Sequence, residues 1–467
     1  MAKRSALLLL AIGLVMSLFL SACGGNNGGS ANGSANSNVG KGAEGAAGEG
    51  TVEPSNEATE TVAGEKIELD FWTFWGSETR RPIIEKIIDD FNKSQDRIIV
   101  KHTYLPWGDI WTKNLASIAA GNPPDVIVND INTVATRAKN RQVVSLKPYL
   151  DKENIQDRFF PELWNTVLYE DQAYALPFNT DTRMLFYNKD HFAEAGLDPE
   201  NPPATWAELE EAAKKLDKKN GSRYERIGFY PTWGDFGWDS WVMNADGGTG
   251  FLDMEGNVTI DTEKKAAAIN WINVWTERLG EDTVNAYKAE FGSQQADAFV
   301  SGKVSMMTRT ATFYTQLRDY GPDVNFGIAP IPAYEEGSGN YSAGGGFVVE
   351  IPYGAKNPDA SWEFINYLTD VQAQQYWAVK NFDNVANKEA ADQAAQSPEL
   401  DETGKTVYAK AVENLQSTKL FPTPAFAPDY RNLVNPQVDA ALLGDTTAEK
   451  ALAQAQKDVE KLIQSNQ

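Results

Sequence analysis

Apolar residues after residue 65 switch between strand spacing and helix spacing. Residues 67–71 alternate apolar and polar side chains, as in a strand with one buried face, and residues 83–91 repeat isoleucines along one helix face. A second strand over 97–104 leads to a helix over 111–118, and the apolar run 125–128 follows. This succession predicts a parallel sheet covered by helices on both faces.

The alternation continues over the second half of the chain. Further strands are predicted at residues 185–187, 227–230, 257–260, 304–308, 326–328 and 347–351. Thr205 and Glu208 have the spacing of a capping box ahead of a helix, as do Thr446 and Glu449 ahead of the last one, and Asp261 is expected to cap another. The pattern is α/β throughout, and it contains no internal repeat.

The first 23 residues have the pattern of a secretory signal. Lys3 and Arg4 precede the apolar run 6–20, which is shorter than the ~20 residues that a membrane-spanning helix needs. Cys23, the only cysteine, follows Leu-Ser-Ala and resembles the lipidated cysteine of a bacterial lipobox. An ordinary cut after Ala22 with an incidental cysteine is the alternative. We expect residues 1–22 to be removed and Cys23 to anchor the protein on the extracellular face of the membrane.

A flexible tether is predicted between Cys23 and the folded part. Residues 24–64 are rich in Gly, Ser, Asn, Ala and Glu and have almost nothing to bury, so they cannot offset the entropy lost on ordering. The remainder, from residue 65 onward, exceeds the ~250–300 residues at which a single core stops growing. Two folded domains are therefore expected.

Charge and histidine content narrow the possible functions. The formal net charge is −23, and removal of Lys3 and Arg4 with the signal leaves −25, which argues against nucleic acid and anionic lipid as partners. Only two histidines are present, without a zinc-ligand, nucleophile or phosphate-loop motif, so no metal or cofactor is expected. The acids of the glycine-rich segment 246–253 are not at calcium-loop positions. A glycosidase needs only two placed carboxylates and stays open as an alternative.

Tryptophan carries the clearest chemical signal. The helical group is expected to pack in the core and consists of Trp206, Trp271, Trp275, Trp362 and Trp377. The loop group consists of Trp72, Trp75, Trp107, Trp233, Trp238 and Trp241, although a core role stays open for each of them. Trp72 and Trp75 follow a strand, at the edge where open α/β sheets bind ligands. Flat aromatic faces beside carboxylates suit a neutral polyol, which indicates a sugar site.

Five segments in a fixed order resemble one family. They are FWTFWGSE at 71–78, the run 117–128, and residues 174–216, 299–313 and 342–370. Together with the lipobox, they are similar to the family 1 extracellular solute-binding proteins of bacterial ABC importers, in the maltose- and multiple-sugar-binding group. The resemblance covers essentially the whole chain.

The resemblance implies an α/β fold of two discontinuous lobes that close on a ligand by a hinge motion. The expected hinge crossings lie near Asn179–Thr182, Ser305–Thr308 and Gly345–Val348. The expected lobes are residues 66–178 with 309–345, and residues 183–304 with 349–467. The implied function is a receptor, not an enzyme, that delivers a neutral saccharide, in our interpretation an oligosaccharide, to the ABC permease. We expect it to be a monomer.

The expected site residues follow from the loops and crossings. Stacking platforms are expected at Trp72, Trp75, Trp233, Trp238 and Trp241. Hydroxyl acceptors are expected at Glu78, Asp130, Asp181 and Asp239. Asn179, Gly345 and Gly346 are expected to line the hinge, with Arg309 either donating to ligand or forming an inter-lobe salt bridge. The main alternative is a receptor for a glycerophosphodiester or another phosphorylated solute, which would need a basic cluster or a helix N-terminus facing the cleft.

Overall fold

The computed structural model describes residues 66–466 of the chain. The predicted signal peptide, Cys23 and the predicted tether over residues 24–64 therefore lie outside the described residues. Within residues 66–466, no helix combines the length and the apolar character needed to cross a membrane.

Strands and helices alternate through the first half of the chain. The elements to residue 245 are β1 (Ile67–Thr73), α1 (Arg80–Ser94), β2 (Ile98–Tyr104), α2 (Asp109–Ala119), β3 (Val126–Asp130), α3 (Val134–Lys139), α4 (Lys147–Leu150), α5 (Pro161–Thr166), β4 (Leu168–Tyr169), β5 (Gln172–Ala173), β6 (Leu176–Thr180), β7 (Arg183–Asn188), α6 (Lys189–Glu194), α7 (Trp206–Leu216), β8 (Lys218–Asn220), β9 (Arg223–Arg226) and α8 (Trp238–Ala245).

The second half contains longer helices. Its elements are α9 (Glu263–Leu279), α10 (Glu281–Ala289), β10 (Met306–Thr310), α11 (Tyr314–Tyr320), β11 (Phe326–Pro330), β12 (Ser342–Ala343), β13 (Gly346–Glu350), α12 (Pro358–Leu368), α13 (Val371–Asn381), β14 (Asn384–Val385), α14 (Lys388–Ala395), α15 (Glu402–Asn414), β15 (Thr418–Lys419), α16 (Arg431–Leu442) and α17 (Ala448–Asn466). Short 3-10 turns lie at Ile131–Thr133, Gln156–Arg158, Gln294–Ala296, Ala311–Phe313 and Leu415–Ser417.

The first lobe is built on a six-stranded sheet in the order β14-β6-β13-β3-β1-β2. β1 pairs in parallel with both β2 and β3, which confirms the predicted parallel arrangement. β13 runs antiparallel to β3 and to β6. Leu69 and Phe71 of β1 are buried, and α1 buries the isoleucines that the helical spacing selected. Apolar spacing alone therefore fixed this part of the fold.

The second lobe is built on a three-stranded sheet in which β7 is central. β10 and β11 flank β7 and are both antiparallel to it. The predicted crossing at Ser305–Thr308 is therefore wrong, because Met306–Thr310 and Phe326–Pro330 both stay in the sheet of β7. Strand β7 is central and buried, so the backbone groups on both of its edges need hydrogen-bond partners. β10 pairs with one edge, and the short connection through α11 brings β11 to the other.

The chain changes lobe at three other places. It leaves the first sheet after Thr180 and enters the second at Arg183, as predicted. It returns at Gly346, so the crossing near Gly345 is correct in place and opposite in direction. The third passage runs over α14 and α15, between β14 of the first sheet and β15, which pairs with β12. Contrary to the prediction, residues 309–345 therefore belong to the second lobe, and residues from 349 to at least 385 belong to the first.

The predicted helix caps and the remaining predicted strands were confirmed only in part. The Thr205–Glu208 capping box is present, with both reciprocal hydrogen bonds. The predicted strands at 227–230 and 257–260 are reduced to isolated bridges, and the pair β8–β9 lies between α7 and the first of them. Helix α9 is capped by Thr262, one residue after Asp261. Thr447, not Thr446, caps the last helix by accepting from the N–H of Lys450 at 3.4 Å.

Tryptophans form the centre of the second-lobe core. The ring centroid of Trp241 is 5.3 Å from that of Trp206 and 5.1 Å from that of Trp271, and Trp206 stacks on Trp271 at 4.0 Å. Trp241 is fully buried, and its indole N–H donates to the carbonyl of Pro231 at 2.7 Å. Trp241 was expected to be a ligand platform, and its burial overturns that expectation because every face of the ring is covered by protein.

We expect Trp241→Ala to lower the free energy of unfolding by about 3–5 kcal/mol, because it leaves a cavity among packed rings. Chemical denaturation measures this. Trp107→Ala is the matched control, since this residue is 59% exposed and keeps only edge-on contacts with neighbouring rings, so its removal should lower the free energy of unfolding by only about 1 kcal/mol. Equal losses of stability in the two variants would contradict this division of the tryptophans.

Candidate functional site

The loop after β1 is held at the carboxyl edge of the first sheet. The hydroxyl of Thr73, at the end of β1, lies 2.7 Å from Nε2 of His102 on β2 and accepts from the N–H of Trp75 at 3.1 Å. Burial lowers the pKa of His102, so the neutral ring that can accept from Thr73 is favoured. This arrangement fixes the loop that carries Phe74, Trp75 and Glu78.

Trp75 points inward from this loop. Its ring is 1% exposed and packs at 4.5 Å from Trp377 and 5.0 Å from Phe178, measured between ring centroids. Trp75 is therefore a core residue, and the expectation that it stacks on ligand is wrong. Glu78, three residues later, is exposed as a ligand acceptor would have to be.

Four aromatic side chains lie together at the same sheet edge. We call Phe74, Trp107, Trp111 and Phe347 the aromatic platform. The Phe74 centroid is 4.8 Å from that of Trp107 and 4.7 Å from that of Phe347, and Trp107 lies 4.7 Å from Trp111. β1 and β2 end at this edge and the antiparallel β13 begins there, which brings residues distant in sequence to one surface.

Sequence reasoning found only part of the platform. Trp107 was grouped with the loop tryptophans but not selected for the site, and Phe74, Trp111 and Phe347 were not singled out. Trp111 is spaced as a helix residue, and Phe347 reaches the edge only because β13 pairs with β3. The helical spacing of Trp111 gives no sign that this residue lies on the platform. No residue pattern near β13 indicates that this strand pairs antiparallel with β3.

Asp130 follows β3 next to the platform and is fixed by a buried network. Its carboxylate accepts from the N–H of Asn132 at 2.7 Å, and burial raises its pKa. Behind it, Arg137 pairs with the fully buried Glu350 at 2.7 Å and donates to the carbonyl of Asp130 at 3.3 Å. Asp130 lies opposite Phe347 in the β3–β13 pairing. A carboxylate and the aromatic platform therefore adjoin.

Two of the three lobe crossings meet at Asp181. Its Oδ1 accepts from the N–H of Gly345 at 2.6 Å and from Nη1 of Arg183 at 2.5 Å. Its own N–H donates to the carbonyl of Gly345 at 3.3 Å. Arg183 extends the contacts into the second lobe, where its Nε donates to the carbonyl of Asp235 at 3.2 Å. We call Asp181, Arg183 and Gly345 the hinge group.

Gly346 and Asn179 are explained by packing. Gly346 has φ +152, and a Cβ there would lie 2.3 Å from the carbonyl oxygen of Asn179, so only glycine fits. Asn179 is 2% exposed, and its amide donates to the carboxylate of Asp383 at 3.0 Å. Burial raises the pKa of Asp383, which also accepts from the indole of Trp377 at 2.9 Å. Asn179 is therefore internal and does not present its side chain to a ligand.

The charged residues of the second lobe that were expected at the site are paired. Arg309 donates to Asp297 and, at 3.5 Å, to Asp235, so it forms salt bridges within the second lobe and not between lobes. Asp239 pairs with Arg431 at 3.4 Å. The carboxylates of Asp235 and Asp239, which flank Trp238 in the sequence, therefore already pair with arginines.

The other three tryptophans expected at the site differ in how far their side chains are exposed. Trp238 is half-buried, 5.9 Å from Phe251, and retains an exposed part. Trp233 is 3% exposed and packs against Tyr230 and Phe291, so its expected role as a platform is wrong. Trp72 is partly exposed, and its indole N–H donates to Asp70 at 2.7 Å, but it makes no ring contact with the aromatic platform.

A separate cavity of about 650 Å³ lies behind the first crossing. It is lined by Thr180, Asn132, Leu163 and the segment around Lys419, and by none of the aromatic platform or the hinge group. None of the residues expected at the site lines this cavity, so we do not include it in the candidate site.

The segment 246–253 does not gather metal ligands. Asp246 forms an ion pair with Lys265, whose side chain is fully buried, and Asp253 is used by its own turn. Among residues 66–466, no group of three or more possible metal ligands is found. The ammonium of Lys265 occupies the position beside Asp246 that a cation would need.

The sequence also matches known proteins. The family of bacterial extracellular solute-binding proteins matches residues 75–375. The arabinooligosaccharide-binding protein of Halalkalibacterium halodurans is 25% identical over 69% of this chain and 73% of its own. The sn-glycerol-3-phosphate-binding periplasmic protein of Rhizobium meliloti is 25% identical over 83% of this chain and 92% of its own.

Solved structures agree on the fold. CpMnBP1 with mannobiose bound is 28% identical, with a TM-score of 0.73 over 85% of this chain and all of that one. Maltose-bound MalE3 of T. maritima has a TM-score of 0.71 at 22% identity, over 85% of this chain and all of its own. Since the family match covers more than half of the sequence, the chain belongs to the bacterial extracellular solute-binding proteins and has their two-lobe α/β fold.

Proposed function

We propose that this protein is the substrate receptor of an ABC importer and that it captures a neutral saccharide between its lobes for delivery to the permease. One observation carries the proposal: Phe347 of the aromatic platform lies opposite Asp130 in the β3–β13 pairing, and Asp181 accepts from the N–H of Gly345, two residues before Phe347. Aromatic faces cover the C–H-rich faces of sugar rings, and carboxyl oxygens accept hydrogen bonds from hydroxyl groups.

The charge pairing of the cleft supports a neutral ligand. Arg183 is paired with Asp181, Arg309 with Asp297 and Asp235, and Arg431 with Asp239. A phosphoryl group would have to displace a carboxylate from its arginine or sit beside the carboxyl of Asp130. Either arrangement raises the free energy of the complex, because like charges are then close together in a partly desolvated site.

Several proteins similar to this chain bind saccharides. Structures similar to this chain hold mannobiose or maltose, and one relative of known ligand class binds arabinooligosaccharide. An oligosaccharide therefore fits the proposal well, and the mode of action is binding and release without covalent chemistry.

A glycerol phosphate receptor is the second candidate. Relatives that bind sn-glycerol-3-phosphate match the chain at similar identity. Arg80 supports this reading, since its Nε donates to the neutral side-chain amide oxygen of Asn381 at 3.3 Å and it forms no salt bridge with the nearby buried carboxyl of Asp383. One such guanidinium is less than the basic cluster that phosphate recognition uses.

The proposal includes the location of the protein. We infer that Cys23 is lipidated after removal of residues 1–22 and that the protein acts as a monomer on the extracellular face of the membrane. The support is the Leu-Ser-Ala-Cys sequence and the segment rich in small and polar residues that follows it.

The first test is a ligand panel on the full mature chain. Mannobiose, mannotriose, maltotriose and arabinotriose should include compounds that raise the melting temperature and bind at one per protein, because a ligand of the native state alone stabilises it. Bound sugars should be recovered uncut after long incubation. Stabilisation by sn-glycerol-3-phosphate but by no neutral saccharide would reverse the order of the two candidates.

The hinge group gives a sharper prediction. Asp181→Asn keeps an oxygen for the N–H of Gly345 but removes the charge that neutralises Arg183. We expect saccharide affinity to fall tenfold or more, about 1.4 kcal/mol, and affinity for sn-glycerol-3-phosphate to rise. Asp319→Asn is the control, since it breaks an arginine pair between adjacent residues on the surface. Titration calorimetry that shows unchanged saccharide affinity in both variants would remove Asp181 from the site.

Anchoring is tested separately. Cys23→Ala should move the protein from the membrane fraction to the medium, or leave it unprocessed, because the thiol that would carry the lipid is gone. Cell fractionation measures the distribution, and saccharide affinity should be unchanged. Ser21→Ala, which keeps the cysteine, is the control. A Cys23→Ala protein that stays as firmly membrane-bound as the parent would refute the lipobox interpretation.

A further inference from the structure

A buried carboxyl lies in the short link between helix α13 and strand β14. This link consists of Phe382 and Asp383, and Asp383 is 5% exposed. Phe382 has φ +58, a left-handed backbone that helix ends usually give to glycine, although its own side chain is bulky and buried. Strained backbone of this kind persists where the surrounding structure requires it, and it is frequent at functional sites. The strain at Phe382 therefore indicates that the placement of Asp383 matters.

Three donors converge on one oxygen of Asp383. Its Oδ2 accepts from Nδ2 of Asn179 at 3.0 Å, from the indole N–H of Trp377 at 2.9 Å and from Nδ2 of Asn381 at 2.6 Å. The three donors are neutral groups, so none of them cancels the charge of a carboxylate. Burying a carboxyl among neutral partners costs more free energy than burying an apolar side chain of similar size. Core stability alone therefore does not account for Asp383.

One of the three donors belongs to the strand that leads into the hinge group. Asn179 lies in β6, two residues before Asp181, and β6 also pairs with β14 directly after Asp383. The Oδ1 of Asn179 is buried and has no hydrogen-bond partner among residues 66–466, so the bond to Asp383 alone orients this amide. Burial raises the pKa of Asp383, the charge of Arg80 lowers it and the charge of Asp181 raises it. The hinge carboxylate therefore lies within electrostatic reach of Asp383.

The other two donors connect this carboxyl to the loop after β1 and to the start of α1. The ring of Trp377 packs at 4.5 Å from that of Trp75, measured between centroids. The Oδ1 of Asn381 accepts from Nε of Arg80 at 3.3 Å, and Arg80 is the first residue of α1. Glu78, an expected ligand acceptor, lies between Trp75 and Arg80 in the sequence. Both ends of the segment that carries Glu78 are therefore fixed to neighbours of this carboxyl.

We propose, resting on the proposed function, that Asp383 is a positioning residue for saccharide capture. Its carboxyl oxygen holds the segment around Glu78 and the strand that ends at the hinge in one fixed relation. Glu78 and Asp181 are then placed for the same ligand before it binds. Asp383 is buried and acts through Asn179, Trp377 and Asn381. Such preorganisation raises affinity because less ordering of the site is left to occur on binding.

The test variant is Asp383→Leu, which keeps the approximate size of the side chain and removes the acceptor of the three donors. Titration calorimetry uses mannobiose, mannotriose, maltotriose and arabinotriose. Affinity should fall about fivefold or more for each sugar that the parent protein binds. Without ligand, amide hydrogen exchange over residues 74–81 should become faster, because this segment loses its fixed neighbours. Asp383→Asn should restore most of the affinity, since its amide oxygen can accept the same three bonds.

A milder variant decides the matter if Asp383→Leu does not fold. Asn381→Ala removes one of the three donors together with the contact to Arg80. It should accelerate exchange over residues 74–81 and lower affinity by about threefold or more, because the segment around Glu78 is then held at one end only.

The matched control is Gln374→Leu. Gln374 is fully buried on the same helix α13, and its amide bonds to the carbonyl of Leu368 at 3.3 Å and to the N–H of Ala386 at 3.1 Å. This variant should lower the melting temperature, because it leaves buried backbone groups without partners. Affinity should change by no more than about twofold, and exchange over residues 74–81 should stay as in the parent protein.

Unchanged affinity in Asp383→Leu for a sugar that the parent protein binds overturns the positioning role, while the receptor function stands. Affinity losses in Asp383→Leu and Gln374→Leu that follow their losses of melting temperature also overturn it, because Asp383 then matters only for stability. If the parent protein binds none of the four saccharides, the proposed function fails, and the exchange comparison alone decides whether Asp383 orders the segment around Glu78.

Discussion

The rest of the structure depends on the way two crossings of the chain are tied together at Asp181. The N–H and the carboxylate of this residue both bond to the backbone of Gly345, so the strand that leaves the first sheet and the strand that returns to it lie side by side. Thr180 adds a third bond, from its hydroxyl to the carbonyl of Gly345 at 2.8 Å. Because these contacts lie at the hinge, they set the position of β7, of β13 and of the residues that both lobes present to a ligand.

From this junction the two lobes contribute different surfaces. The first lobe supplies the aromatic platform, which can form only where β1, β2 and β13 reach the same edge. The second lobe supplies Trp238 and paired charges, supported by a core of stacked indoles. Rigid surfaces on two bodies joined by a small number of hinge residues are what closure around a ligand requires. The buried pair of Arg137 and Glu350 keeps the Asp130 end of this surface fixed.

The sequence predicted the first sheet well because its signals are local. Apolar spacing located β1, α1, β2 and β3, and the capping box located α7. Prediction from the sequence failed where pairing between strands distant in the sequence decides the fold. Strand β13 inserts between β3 and β6, and nothing near Phe347 in sequence indicates those partners. The tryptophans show the same limit: Trp75, Trp233 and Trp241 lie among glycines and acids, as loop residues do, but the folded chain covers them. Exposure depends on neighbours distant in sequence, so within the loop group only Trp72, Trp107 and Trp238 stay at least partly exposed.

The paired arginines also determine how a ligand would arrive. Arg183, Arg309 and Arg431 each face a carboxylate at contact distance, so their fields cancel within a few ångströms. Charge steering accelerates association only when a net field extends beyond the screening length, about 8 Å at physiological ionic strength. The acidic exterior repels anions, and the paired arginines of the cleft leave no net field that would attract a charged solute. The rate at which an uncharged solute enters should therefore be set by diffusion and lobe opening, and should be nearly the same in dilute and in concentrated salt.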